Sequence, residues 1–164
     1  MRRAADRARF WTVLLLLVGA HFVVRPRLGD PRYAPDFLLI ALLFLAFNSR
    51  PGVGAAAGFV VGILSDALAP TAFGAAALAT TLVGFGAAWT RALFVTDNIL
   101  VTSLFVFAAA WLRDVIQVVA SNQISGHALL WQLLAISPLA ALSTAAAALV
   151  IRLFLRSWLD GRGS

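Results

Sequence analysis

Six apolar stretches follow one another along this 164-residue chain, separated only by short polar breaks. They cover residues 10–24, 35–48, 52–69, 72–89, 98–120 and 129–155. A helix that crosses a ~30 Å hydrocarbon core needs about 20 apolar residues. The first two stretches fall short of that and call for interfacial flanks or a locally thinned bilayer. Long Ala- and Leu-rich runs without strict alternation select helix over strand. Composition then removes the soluble alternatives. With 62% hydrophobic and 12% charged residues, a water-soluble domain of this length could neither hide its apolar surface nor stay dissolved. A soluble enzyme, a nucleic-acid reader and a disordered tail are excluded. The reading is a single integral membrane domain over residues 1–164, an all-α membrane protein built as a compact bundle of six transmembrane helices.

The breaks carry turn chemistry. Residues 25–35 hold three prolines and Gly29, which makes the first loop the longest. Asn48 to Gly52 reads as a tight turn, Pro70-Thr71 joins the third and fourth stretches into a close helical hairpin, and Pro138 should kink the sixth. All 13 basic residues are Arg and all seven acids are Asp, so the net charge of +6 sits on few positions. Six spans put Arg2, Arg3, Arg7, Arg9, Arg50, Arg91, Arg152, Arg156 and Arg162 on one side. Arg25, Arg27 and Arg32 fall on the other, tempered by Asp30 and Asp36. Positive charge concentrates on the cytoplasmic side, so both termini are expected there. The alternative of a cleaved leader rests on the basic start and the triplet Val18-Gly19-Ala20; it would leave five spans.

The third stretch carries Gly54, Gly58, Gly62 and Asp66 at four-residue spacing, on one slowly drifting helix face. Such a row lets another helix approach closely. The fourth has a second small-residue seam of Gly74, Ala77, Thr81, Gly84 and Ala88. Ordinary packing within the chain explains both seams. A docking face for a partner's helix is the functional alternative. Asp66 lies near a helix C-terminus, the wrong end for an anion, so a water, a hydroxyl or an arginine is expected to compensate it, unless it is simply wet. Arg113 and Asp114 are adjacent inside the fifth stretch and point about 100° apart. Each is expected to find a partner on another helix or to join the polar stripe Asp114, Gln117, Ser121. The plainer reading is an interfacial pair with a snorkelling Arg113. The five tryptophans lie mostly near span ends, as an aromatic belt would.

The chain has no Cys, and its two histidines, His21 and His127, are too scattered for a metal cage. No HExxH, GxSxG or GxxxxGK[ST] pattern occurs. The reading therefore holds no catalytic, cofactor or metal residues.

One stretch has a more specific pattern. It runs Pro35-Asp36-Phe37-Leu38-Leu39, then Arg50-Pro51-Gly52, then Gly58-Phe59-Val60-Val61-Gly62 through Asp66, then Pro70-Thr71-Ala72-Phe73-Gly74 and Val83-Gly84-Phe85. It resembles the rod shape-determining protein MreD family. The resemblance implies a non-enzymatic inner-membrane subunit of the bacterial cell-elongation machinery. Such a subunit binds MreC, a single-span protein, and acts with MreB, the RodA glycosyltransferase and a class B penicillin-binding protein in lateral peptidoglycan synthesis. It implies scaffold and docking roles for Pro35, Asp36, Gly58, Gly62, Asp66 and Gly74. The family is also similar in helix arrangement to the S components of energy-coupling-factor transporters, with a possible central cavity.

Three functions are weighed. A scaffold that docks the transmembrane helix of MreC predicts that Gly58→Leu or Gly62→Leu blocks co-purification while insertion persists. An S-component-like, small-molecule-binding transporter subunit would need several convergent polar groups, and the spans offer few. Its AxxxA grip is matched only by Ala4 and Ala8, in the charged start. A binder of lipid or wall precursor would use Arg25, Arg27 and Arg32 on anionic groups; the plainer reading is a solvated loop balanced by Asp30 and Asp36.

Overall fold

The computed structural model describes residues 2–30, 33–68, 72–90, 99–123 and 125–160. Arg32, Pro70, Thr71, Arg91, Asn98 and Arg162, used above for turns and orientation, lie outside them. Among the described residues there are six helices and no strand. They are α1 (Arg2–Val23), continued by a 3-10 turn at Arg25–Arg27, α2 (Phe37–Phe47), α3 (Pro51–Leu68), α4 (Ala75–Thr90), α5 (Ile99–Ser121) and α6 (residues 127–160). Three are long and apolar enough to cross a membrane: Ala8–Arg27, Ile99–Ser121 and His127–Phe154. α2, α3 and α4 are shorter apolar helices.

α2 is apolar on every side, which marks a helix for the interior. Leu38 to Leu43 and Ala46 are all buried. Leu39, Leu42, Leu43 and Ala46 meet Val83, Ala87 and Ala88 of α4, Val106, Ala109 and Ala110 of α5, and Ala141 and Ala145 of α6. The alanines are the reason so short a helix can touch so many neighbours: a methyl side chain keeps backbones close. A second cluster joins Leu17 of α1 to Ile40 and Ala41. The outer surface is greasy. Leu15, Leu16, Leu100, Leu104, Leu134 and Phe154 are each more than half exposed. Such continuous apolar exposure fits contact with lipid rather than water.

The most extensive helix pair is α3 against α4. A Cβ added at Gly54 would collide with Gly84, one at Gly58 with Thr80, and one at Gly62 with Ala77. The partners descend as the glycines ascend, so the hairpin is antiparallel. The Thr80 hydroxyl donates to the Gly58 carbonyl at 2.6 Å, across the gap where a side chain would stand. Gly74 departs from the seam to which the spacing assigns it. A Cβ there would meet nothing, and its φ of +98° places it in the turn before α4. Its requirement is backbone freedom, not close approach.

Pro138 acts through the hydrogen-bond ladder. α6 consists of His127–Trp131, a π segment Gln132–Ile136 and Ser137–Asp160. The Ser137 amide reaches back to the Gln132 carbonyl, one residue further than in an α-helix. The Leu133 carbonyl then depends on residue 138, and proline has no N–H to give. The Trp111 indole supplies the missing donor at 3.2 Å. Trp111 thus serves α6 from the middle of α5 and is not a member of an end-of-span aromatic belt.

Candidate functional site

Asp36 precedes the first turn of α2, and Pro35 before it fixes the approach of the chain. Its carboxylate accepts the Leu39 amide at 3.1 Å, an N-cap that satisfies one orphan donor of the helix start. The same carboxylate forms an ion pair with Arg113 of α5 at 2.9 Å and lies 3.4 Å from Nδ1 of His21 on α1. Its backbone amide donates to the Thr144 hydroxyl of α6 at 3.1 Å. One residue therefore binds four helices together, and it is 7% exposed. It does not balance a solvated loop.

His21 is contacted through both ring nitrogens. Arg25 has only donors and stands 3.2 Å from Nε2 of His21. Nδ1 faces the Asp36 carboxylate at 3.4 Å and the Leu38 amide, which donates toward it at 3.3 Å. The result is a chain from Arg25 through His21 to Asp36, closed from the other side by Arg113.

Arg113 turns inward and pairs across helices instead of snorkelling to an interface. Asp114, one residue on, takes the hydroxyl of Ser137 from α6. Gln117 is half-buried and stays outside this cluster, and the Ser121 hydroxyl returns to the Val118 carbonyl of its own helix. Arg25, Asp36, Arg113, Asp114, Gln132, Ser137 and Thr144 line one cavity of about 160 Å3, walled on its apolar sides by Ala34, Leu39, Ala110 and Ala141 among others. Seven polar residues from four parts of the chain thus converge, where the spans read one by one offered few. His21, Gln132, Ser137 and Thr144 escaped the sequence reading as members of a site, and Arg25 entered it only as a loop charge that could meet anionic groups. The i, i+4 spacing of His21 and Arg25 at the end of α1 was the available signal. The two buried Nε groups of Arg25 and Arg113 have no acceptor among the described residues.

Asp66 is a separate centre. It is 3% exposed, so it is not wet. Its two oxygens accept the amides of Gly74, Ala76 and Ala77 at 3.0, 3.1 and 2.9 Å. The compensating charge is the N-terminus of α4, which welcomes an anion as strongly as the end of α3 disfavours one. No water, hydroxyl or arginine is needed. Asp66→Asn keeps the shape but loses the charge and one acceptor oxygen. It is expected to lower stability by about 1–2 kcal/mol, read as a shifted midpoint in a denaturant titration followed by circular dichroism.

The glycines Gly54, Gly58, Gly62 and Gly84, with Ala77 and Thr81, face each other inside the α3–α4 hairpin. That face is covered within the chain. Gly58→Leu would break the hairpin itself, so loss of MreC co-purification in that variant would not locate a docking face.

The family model for the rod shape-determining protein MreD matches residues 6–159. The chain belongs to the MreD family. That span runs from α1 to the end of α6 and includes both the Asp36 cluster and the Asp66 cap, so this is a membrane protein of a rod shape-determining family. No curated protein matches the chain significantly. No solved structure does either. No group of three or more His, Cys, Asp or Glu placed to hold a metal occurs among the described residues.

Proposed function

We propose that this chain is a non-enzymatic, multi-pass scaffold of the bacterial inner membrane, with both termini cytoplasmic and all six apolar helices embedded. It docks the transmembrane helix of MreC and, through MreC, joins MreB, RodA and a class B penicillin-binding protein in lateral peptidoglycan synthesis. The observation that carries this reading is the family match over residues 6–159. The fold supports it in two ways. The strongest polar groups, Asp36, Arg113 and Asp66, are spent on joining helices to one another. Large apolar side chains are left on the outside of α1, α3, α4, α5 and α6. The small-residue faces of α3 and α4 are consumed internally, so MreC docks on an outward surface.

A photo-crosslinking amino acid placed in turn at Leu15, Phe59, Leu82, Leu104 and Leu134, one outward position on each of those helices, tests the proposal in cells that carry tagged MreC. Crosslinks to MreC are expected from one or two neighbouring positions and not from all five. Absence of crosslinks everywhere, together with no MreC in a pull-down of the intact chain, would sink the docking role.

A further inference from the structure

Four formal charges line the cavity, and two of them are already matched. Arg113 and Asp36 pair with each other at 2.9 Å. Arg25 and Asp114 remain. Arg25 meets only a histidine nitrogen, and Asp114 meets only the hydroxyl of Ser137. Neither forms an ion pair within 4 Å among the described residues, and Arg25 acts on the Asp36 carboxylate only through space. The Gln132 amide also lines the cavity and makes no side-chain hydrogen bond within the described residues. A cation and a carboxylate without a direct ion pair, and a free amide, thus line one cavity.

Arg25 and Asp114 are partly buried, and a counter-charge in such a cavity offsets the cost of their partial desolvation. A simple anion would answer Arg25 and leave Asp114 worse off, and a metal or amine cation would do the reverse. A molecule that carries both charges answers both and keeps the wall neutral. The cavity of about 160 Å3 is close to the ~150 Å3 that holds a benzene-sized ligand. It has room for a headgroup or a small amino acid and none for acyl chains.

We infer that this cavity binds a zwitterion that joins a primary ammonium to an oxyanion, with the oxyanion at Arg25 and the ammonium at Asp114. A phosphoethanolamine headgroup of a surrounding lipid and a free small zwitterion share this chemistry. The site is independent of MreC docking, so failure of that role leaves it standing.

The test uses the full-length chain in nanodiscs of equal phosphatidylethanolamine and phosphatidylglycerol, with native mass spectrometry of the released protein. One phosphatidylethanolamine per chain is expected to persist where phosphatidylglycerol is stripped. Asp114→Asn keeps an oxygen for Ser137 and removes the charge. It should cut that preference by about tenfold or more, as expected when a charged hydrogen-bond partner is neutralised. Arg25→Gln should lose most of the retained phosphatidylethanolamine. Arg27→Gln, an exposed neighbour outside the cavity, should change nothing. A second arm adds glycerophosphoethanolamine or glycine to lipid-depleted protein in detergent. Stoichiometric binding there would identify a free zwitterion as sufficient, and retention only in nanodiscs would identify the lipid. Equal retention of the two lipids without binding of either free molecule would overturn the inference. So would an Asp114→Asn chain, shown folded by circular dichroism, that keeps the wild-type preference.

Discussion

Arg113→Met is expected to destabilise the folded protein by roughly 3–5 kcal/mol, the cost of leaving one member of a buried ion pair without the other. Asp36 cannot escape to water, because its backbone and carboxylate are fixed by Thr144 and Leu39. The double variant Arg113→Met with Asp36→Asn should recover more than half of the loss. Asparagine still caps α2 through its side-chain oxygen, and methionine fills much of the arginine's stem volume, so neither member of this pair is left as an unanswered charge. Unfolding midpoints in detergent, measured for the wild type, both single variants and the double, form a thermodynamic cycle. An additive result, with the double variant as unstable as the sum of the singles, would mean that the two side chains do not interact in the folded protein.

That prediction could not have been written from the sequence, and the reason is physical. Asp36 and Arg113 are 77 positions apart, and nothing in either apolar run marks the register at which two helices cross. Periodicity says that a helix forms and which stripe of it is small. It does not say which polar residue meets which. Asp66 shows the same limit at closer range. Its helix-end position made it look misplaced while α3 was read alone, and the answer lay eight to eleven residues on, in the free amides at the start of α4. The glycine row was easier, since closeness is the one property that Gly54, Gly58 and Gly62 can supply and the tight break after α3 leaves α4 as a near neighbour. The cavity was hardest to see. Its wall draws on the 3-10 turn, the start of α2, one face of α5 and the part of α6 around the π segment. The position of Gln132 and Ser137 in that wall depends on a helix irregularity that Pro138 signals only as a kink. The first loop misled for a related reason: Arg25 and Asp36 are spaced like loop charges, yet His21 and Arg113 draw both into the protein.

Gly58→Leu is expected to cost more than about 4 kcal/mol or to prevent folding, which places it among the rare largest single-residue effects. The reason is geometric rather than hydrophobic. Even a methyl group at Gly58 collides with the backbone of Thr80 and Thr81, which cannot swing aside as a flexible side chain would. Separating α3 from α4 to make room would also break the bond from the Thr80 hydroxyl to the Gly58 carbonyl and pull the α4 N-terminus away from Asp66. A smaller substitution isolates the effect from bulk. Gly58→Ala should already be clearly destabilising. Gly86→Ala, on the outward side of α4 with nothing within 4 Å of the added atom, should be neutral or stabilising by about 0.5–1 kcal/mol, because alanine loses less backbone freedom in a helix. The two variants change the same residue type by the same atom in the same hairpin, so helix propensity predicts the same sign for both and contact predicts opposite signs. Unfolding midpoints for the pair decide between them. If Gly58→Ala proved no more harmful than Gly86→Ala, the two helices would not be in backbone contact, and the small-residue face of α3 would again be free for another helix.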